Sequence, residues 1–309
     1  MVDLSVDIAG MKLANPIMTA SGTAGYADEF ADFVDLKQIG AFVTKTITLE
    51  PRAGNAYPRV IETASGLVNA IGLANIGLDA FLAEKIPILS ELGLPIIVSV
   101  AGKTVEEYRA ITERLDSVDA ISAVELNISC PNVSEGGIQF GLDARQVAKV
   151  TAAARRACNR KVLIVKLSPN VTDITTPARA AIEAGADAIS LINTLNAMVI
   201  DIEQRKPFLA NRTGGLSGPA IHPVALYMVY QVCSSVAGPA GVPVIAMGGV
   251  RTARDAIEFL LAGATAVAIG TAAMINPTCL IEVCDGIRDY LLEHNYKSVR
   301  EIIGTLQDD

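Results

Sequence analysis

Short aliphatic runs recur along the chain, each closed by a polar or glycine-rich break: Ile17 to Ala20, Ala41 to Lys45, Ile96 to Val100, Ala123 to Leu126, Val162 to Leu167, Ala188 to Ile192, Val244 to Met247 and Ala266 to Ile269. They are nearly continuous in apolar residues, the pattern of strands buried on both faces of a parallel sheet. Between them the apolar positions take helical spacing. Two such segments open on capping signals, Thr104 with Glu107 ahead of Tyr108 to Leu115, and Thr252 with Asp255 ahead of Ala256 to Ala262. Strand and helix alternate throughout, and eight strands of this kind predict an α/β fold, a (β/α)8 TIM barrel forming one domain over residues 1–309. A doubly wound open sheet is the alternative. Leu4 to Ile8 and Met11 to Leu13, on either side of Ala9-Gly10, predict an N-terminal hairpin that plugs one end of the barrel. The connections Leu49 to Pro95 and Thr194 to Ala220 are too long for turns. They predict inserted antiparallel strands at the barrel mouth, such as Val60 to Thr63 with Leu67 to Ala70.

Composition narrows the class. The chain is 51% apolar but only 5% aromatic, with no Trp and 25 glycines, so its core is aliphatic. A net charge of -8 without any block of Lys and Arg argues against nucleic acid as a partner. Mean hydropathy is high at +0.40, yet no apolar run reaches about 18 residues without a Gly, Pro or charge, so no transmembrane helix is expected. The surplus apolar surface fits burial between subunits. The N-terminus, Met-Val-Asp-Leu-Ser-Val-Asp, lacks the basic and apolar regions of a signal peptide, which points to a cytoplasmic protein. Five cysteines without a C-x-x-C pair indicate free thiols and neither a disulfide framework nor a zinc site.

Candidate chemistry gathers where the strands end, since the loops after the C-terminal ends of barrel strands converge on one rim. Those positions hold Ser21, Lys45, Thr46, Ser99, Asn127, Lys166, Asn193, Thr194, Gly248, Gly249, Gly270 and Thr271. A lysine closing an apolar strand is costly unless its ammonium meets an anion or solvent, so Lys45 and Lys166 suggest an anionic ligand. Gly248-Gly249 and Gly270-Thr271 follow strands seven and eight, where barrels build phosphate sites from backbone N–H groups. Glycine also ends strands for geometric reasons. Gly102-Lys103-Thr104 imitates the end of a P-loop, but Ile97 stands where that motif requires glycine. His222 and His294 are the only histidines and stand apart in helical segments, offering neither a base nor a metal cluster. In Asn127-Ile128-Ser129-Cys130-Pro131-Asn132 a cysteine follows a strand, and Pro131 turns the chain out of the sheet at Cys130. With histidine set aside, Cys130 leads as the proton-transfer residue. Cys158, Cys233, Cys279 and Cys284 lie in apolar helical patterns and read as packing residues.

These residues resemble the dihydroorotate dehydrogenases, in particular the class 1 enzymes of the NAD-linked (1B) branch, over essentially the whole chain. The most specific pieces are Asn127 to Asn132, Asn69-Ala70-Ile71-Gly72-Leu73, and the run from Ile192 through Arg205-Lys206-Pro207 to Gly214-Gly215-Leu216-Ser217-Gly218. The resemblance implies an FMN barrel that oxidises (S)-dihydroorotate to orotate in pyrimidine biosynthesis, with Cys130 as the base and hydride passing to FMN. It implies FMN contacts from Ser21, Lys45, Thr46, Ser99, Asn127, Lys166, Ile192, Gly218, Gly248, Gly249, Gly270 and Thr271. Around the substrate it implies Lys45, Asn69, Ala70, Ile71, Gly72, Leu73, Asn127, Asn193 and Thr194. It further implies a homodimer core joined in a heterotetramer by a subunit carrying FAD and a [2Fe-2S] cluster, which passes electrons to NAD. Ile76 stands where the family pattern has Pro, and His222 where the branch often has Lys; neither is a matched site residue.

The chemistry agrees with the residues. A thiolate can take a proton α to a carbonyl, and amides of Asn69, Asn127 and Asn193 can read a planar ring's donors and acceptors. The loop Pro131 to Phe140, with Gly136 and Gly137 as hinges, is a candidate cover for the site. Three competing readings stand beside this one: the homodimeric class 1A branch with fumarate as acceptor, another FMN barrel such as a 2-hydroxy-acid oxidase, and a silent scaffold barrel. The second usually requires a histidine base, which no strand end supplies.

Overall fold

A computed structural model of the chain describes residues 2–129 and 140–307. Eight parallel strands lie where the aliphatic runs predict them: β1 Ile17–Thr19, β2 Phe42–Val43, β3 Ile96–Val100, β4 Ala123–Asn127, β5 Val162–Lys166, β6 Ala188–Leu191, β7 Val244–Met247 and β8 Ala266–Ile269. Each pairs with its neighbour in sequence, and β8 returns to pair with β1. A parallel bridge between Met18 and Ala41 joins the remaining edge, closing the barrel and rejecting the open-sheet alternative. Closure buries both faces of the strands: every residue of β3, β4, β6, β7 and β8 is buried. That is why the runs show no alternation.

The helices complete the wall. Val105–Asp116 starts at Thr104, whose side chain accepts the Glu107 N–H at 3.2 Å, while the Glu107 carboxylate reaches past it to the Lys103 N–H. The predicted box is therefore offset by one residue at this helix. At Ala253–Leu261 it is complete, with Thr252 and Asp255 exchanging bonds. Tyr108, Ile111 and Leu115 of the first helix are buried on one face against the strands, so Leu115→Ala would cost about 2–5 kcal/mol. The stretch Pro219–Ala240 is 22 residues long and apolar enough, by length and composition, to cross a membrane. Pro219, Pro223, Gly238 and Pro239 interrupt it, and it is a wall helix whose Ala225, Val229, Val232 and Val236 are buried in the core.

Both long connections carry the expected extra structure, and they share it. Val60–Thr63 pairs with Gly66–Asn69, one residue earlier than predicted, and that strand pairs with Gly214–Ser217 and through it with Leu195–Ala197. Val68, Ala70 and Leu209 form a small core beneath this rim sheet. The N-terminal hairpin, Val6–Ile8 with Met11–Leu13, turns Ile8 and Leu13 inward. Asp7 and Ala9 border a cleft with Ala186, Val242 and Thr265, each just before a barrel strand, so the hairpin covers the N-terminal end.

Candidate active site at the strand C-termini

The polar strand-end residues meet in one hydrogen-bonded chain. Ser21 Oγ and Thr46 Oγ1 are 2.9 Å apart, and Thr46 Oγ1 is 2.9 Å from Ser99 Oγ. Asn127 Nδ2 donates to Thr46 Oγ1 at 3.2 Å, and Asn193 Nδ2 donates to Asn127 Oδ1 at 3.2 Å. Residues from the ends of five different strands are thus locked side by side. Tyr108 supports them from outside by donating its hydroxyl to the Asn127 carbonyl oxygen at 2.8 Å.

Lys166 closes β5 opposite Asn127 and, on its other side, opposite Ser190. Paired residues share a face of the sheet, so its side chain enters the same barrel mouth. It is only 5% exposed, and among the described residues its ammonium has no hydrogen bond or ion pair. Lys45 is half-buried after β2, and its ammonium likewise has no such partner among them.

The glycines cluster on the opposite side of the rim. Gly218, Gly248 and Gly249 have φ of 94°, 138° and 72°. A Cβ on Gly249 would stand 2.7 Å from His222 Cβ and 2.8 Å from the Gly218 carbonyl oxygen; one on Gly248 would stand 2.5 Å from Ala225 Cβ. Packing inside the protein already requires glycine at both positions, alongside any ligand that uses the bare backbone. Ile192 packs by Gly248, Thr271 Oγ1 donates to Ser217 Oγ at 2.9 Å beside Gly218, and Gly270 lies by Ala20, next to Ser21.

The segment Asn69 to Leu73 leaves the rim sheet at the mouth. Asn69 Nδ2 donates to the Gly215 carbonyl oxygen at 3.3 Å, and Asn55 Nδ2 holds the Ala70 carbonyl oxygen at 2.9 Å. Ile71 accepts the Asn55 N–H, while Gly72 and Leu73 both take positive φ, 74° and 56°. Two asparagines that the sequence reading passed over secure the neighbourhood. Asn75 donates to Thr48 Oγ1 and to the Leu73 carbonyl oxygen, both at 2.8 Å, and accepts the N–H groups of Thr48 and Gly77. Asn170, after β5, donates to the Thr194 carbonyl oxygen at 3.0 Å and accepts the Asn196 N–H. Their signal in the sequence is an amide shortly after a strand, as at Asn127 and Asn193.

Cys130 lies outside the described residues, as does the loop of residues 131–139 with Gly136 and Gly137. The other four thiols are buried, and desolvation pushes Cys158, Cys279 and Cys284 up to about 11 and Cys233 to about 12. Such thiols are protonated and unreactive near neutral pH. His222 is not isolated, contrary to expectation: its Nε2 is 2.9 Å from Glu258 Oε2, its Nδ1 3.1 Å from the Gly248 carbonyl oxygen, and Asp255 completes a cluster of possible metal ligands. Helical periodicity placed these residues on different helices and gave no sign that the helices pack together. A cleft of about 540 Å³ lies on the outer wall between the helices carrying Glu106 and Lys149.

The dihydroorotate dehydrogenase family profile matches residues 3–291. Two curated relatives are named dihydroorotate dehydrogenase B (NAD(+)), catalytic subunit. The one from Pelobacter propionicus is 54% identical over 99% of this chain and 99% of its own length; the one from Geotalea daltonii is 53% identical over 99% and 98%. Among solved structures, that of DHODH from Eimeria tenella in complex with ferulenol superposes with a TM-score of 0.81 over 98% of this chain and 88% of that one. At 24% identity that likeness speaks for the fold alone.

Proposed function

Since the chain belongs to the dihydroorotate dehydrogenase family, we propose that it oxidises (S)-dihydroorotate to orotate in pyrimidine biosynthesis, with FMN held at the barrel rim. The observation that carries this reading is the buried Lys166 ammonium, unpartnered among the described residues and set beside a chain of hydroxyl and amide groups. A buried ammonium that no hydrogen bond or ion pair satisfies is costly, and an anionic ligand at the mouth relieves the cost.

The residues fit FMN on physical grounds. Lys166, with Ser99, Thr46 and Asn127, offers donors to the polar edge of a flavin ring, while Ile192 supplies an apolar wall. Gly218, Gly248, Gly249, Gly270 and Thr271 bring bare backbone and a hydroxyl to the far side of the rim, where a phosphate finds N–H donors. Bound FMN supplies the acceptor for the two electrons of the oxidation. Lys45 faces the substrate carboxylate, and the amides of Asn69, Asn127 and Asn193, with Ala70 to Leu73 and Thr194 around them, orient the pyrimidine ring. Cys130 is the base: its thiolate takes the proton α to the ring carbonyl. With FMN bound, the Lys166 ammonium would offset negative charge on the pyrimidine end of the flavin ring.

Electrons leave by way of a partner subunit carrying FAD and a [2Fe-2S] cluster, and the acceptor is NAD; the relatives' name supports NAD and a separate subunit, and the partner's cofactors rest on the sequence resemblance. The chain works as one barrel domain, in a cytoplasmic heterotetramer with a homodimer core. Exposed Ile200 and Ile202 on the rim insertion are apolar surface of the kind a subunit interface covers. The test is the absorption spectrum of the purified chain, before and after dihydroorotate is added without oxygen. A flavin spectrum that bleaches is expected, and a colourless protein, or a spectrum that dihydroorotate leaves unchanged, overturns the proposal.

A further inference from the structure

Four charged side chains are buried among the described residues: Asp116, Glu125, Lys161 and Lys166. Asp116 accepts the backbone N–H groups of Arg160 and Lys161, all of them ahead of β5 and below the barrel mouth. Only Glu125 and Lys166 stand on barrel strands. Glu125 is two residues before Asn127 in β4, so it shares the inward face one layer deeper. Ser99 stands opposite it in β3 and Ile164 in β5. Its Oε2 accepts the Ser190 hydroxyl at 2.9 Å, and Ser190 is itself opposite Lys166. Its Oε1 is buried with no hydrogen-bond partner, in a side chain only 2% exposed.

A buried carboxylate with a bare oxygen is costly unless an opposite charge shares the low-dielectric interior. Among the described residues the other charged side chain buried on a barrel strand is Lys166, one layer up on the adjacent strand. No ion pair joins the two among the described residues, so they act on each other at a distance and leave the ammonium free at the mouth. We propose that Glu125 is a positioning residue for the redox site: its carboxylate, fixed by Ser190 beneath Asn127 and Lys166, offsets the Lys166 charge and lowers the site's preference for the reduced, anionic flavin over the oxidised one. The inference rests on the FMN reading above.

The test compares the FMN-loaded chain with its Glu125→Gln variant, in which the side-chain amide still accepts from Ser190 but carries no charge. Midpoint potentials are read by anaerobic titration against a reference dye, and oxidised FMN affinity by fluorescence quenching on the flavin-free protein. Removing the negative charge should raise the preference for reduced flavin about tenfold, which for two electrons is about 30 mV more positive. Affinity for oxidised FMN should change much less, because the oxidised ring is neutral. Ile164→Val, a packing change in the same layer, should leave the potential at the wild-type value. If Glu125→Gln does not fold, Glu125→Met carries the same prediction, which depends on charge and not on the Ser190 bond. A flavin-loaded Glu125→Gln protein with the wild-type potential overturns the inference while the FMN reading stands. So does failure of both variants to fold beside a folded Ile164→Val, which leaves Glu125 a purely structural role. A wild-type chain that retains no FMN removes both proposals together.

Discussion

At the scale of single residues, the thiols divide sharply. A free thiol is a proton acceptor only as thiolate, and desolvation holds the thiols of Cys158, Cys233, Cys279 and Cys284 protonated well above neutral pH. Cys130→Ser should therefore slow anaerobic flavin reduction by dihydroorotate by about 10² to 10⁴ with FMN still bound, the usual worth of a positioned base. The same change at the other four positions should leave the rate nearly unaltered. A Cys130→Ser chain that reduces its flavin at the wild-type rate near neutral pH removes this cysteine from the mechanism. The buried thiols also set an alkaline limit on stability. Burial lifts Cys233 from the ordinary 9.0 to about 12, so below pH 9 both states hold the proton and its contribution is level. Above pH 9 the unfolded chain releases a proton that the folded chain keeps, so stability falls as pH rises towards the folded value. Each unit of pH in that window costs up to about 1.4 kcal/mol per such thiol. Urea midpoints of wild type and Cys233→Ala, taken at pH 8 and 10.5, should converge at the higher pH, and a constant gap between them would count against this account.

At the scale of elements, the rim depends on amides that tie loops to strand ends. Asn75 makes four hydrogen bonds that fasten the end of the Asn69 to Leu73 segment to Thr48, just beyond the hydroxyl of Thr46. Asn75→Ala leaves the buried Thr48 and Gly77 N–H groups without partners, which should cost about 2–4 kcal/mol. Because the loop it releases is proposed to face substrate, KM for dihydroorotate should rise about tenfold or more while FMN stays bound. Thermal melting and steady-state kinetics together check this, and an unchanged KM would separate the loop from the substrate. Gly249 shows the same dependence on neighbours. Its φ of 72° and the closeness of His222 Cβ mean that Gly249→Ala should both destabilise the fold, by about 1–3 kcal/mol, and loosen FMN, read as flavin lost on gel filtration.

At the scale of the whole molecule, the barrel gathers groups from distant parts of the chain, and its proposed function extends beyond the chain itself. The proposed partner subunit leads to a direct expectation. The chain alone, loaded with FMN and given dihydroorotate, should bleach but reduce NAD very slowly, and co-purification with a subunit carrying FAD and a [2Fe-2S] cluster should restore NAD reduction. Efficient NAD reduction by the chain alone would end the partner proposal.

The α/β class could be read from the chain alone, because eight aliphatic runs without alternation bury both faces only inside a layered α/β fold. Closure into a barrel rather than an open sheet shows in the pairing of the last strand with the first and in the bridge between Met18 and Ala41. The sequence also marked most of the rim, since barrel topology sends every strand's last residue to one end, and Ser21, Thr46, Ser99, Asn127 and Asn193 could be picked out by position alone. The pairings between distant residues come from the three-dimensional packing. Local periodicity says which residues face inward but not which ones meet, so the Glu125–Ser190 bond, the Asn75 clasp on Thr48 and the His222–Glu258 contact stayed hidden. They join residues 65, 27 and 36 positions apart, contacts that depend on strand register and helix packing. Those are set by the closure of the whole barrel and not by any stretch of it.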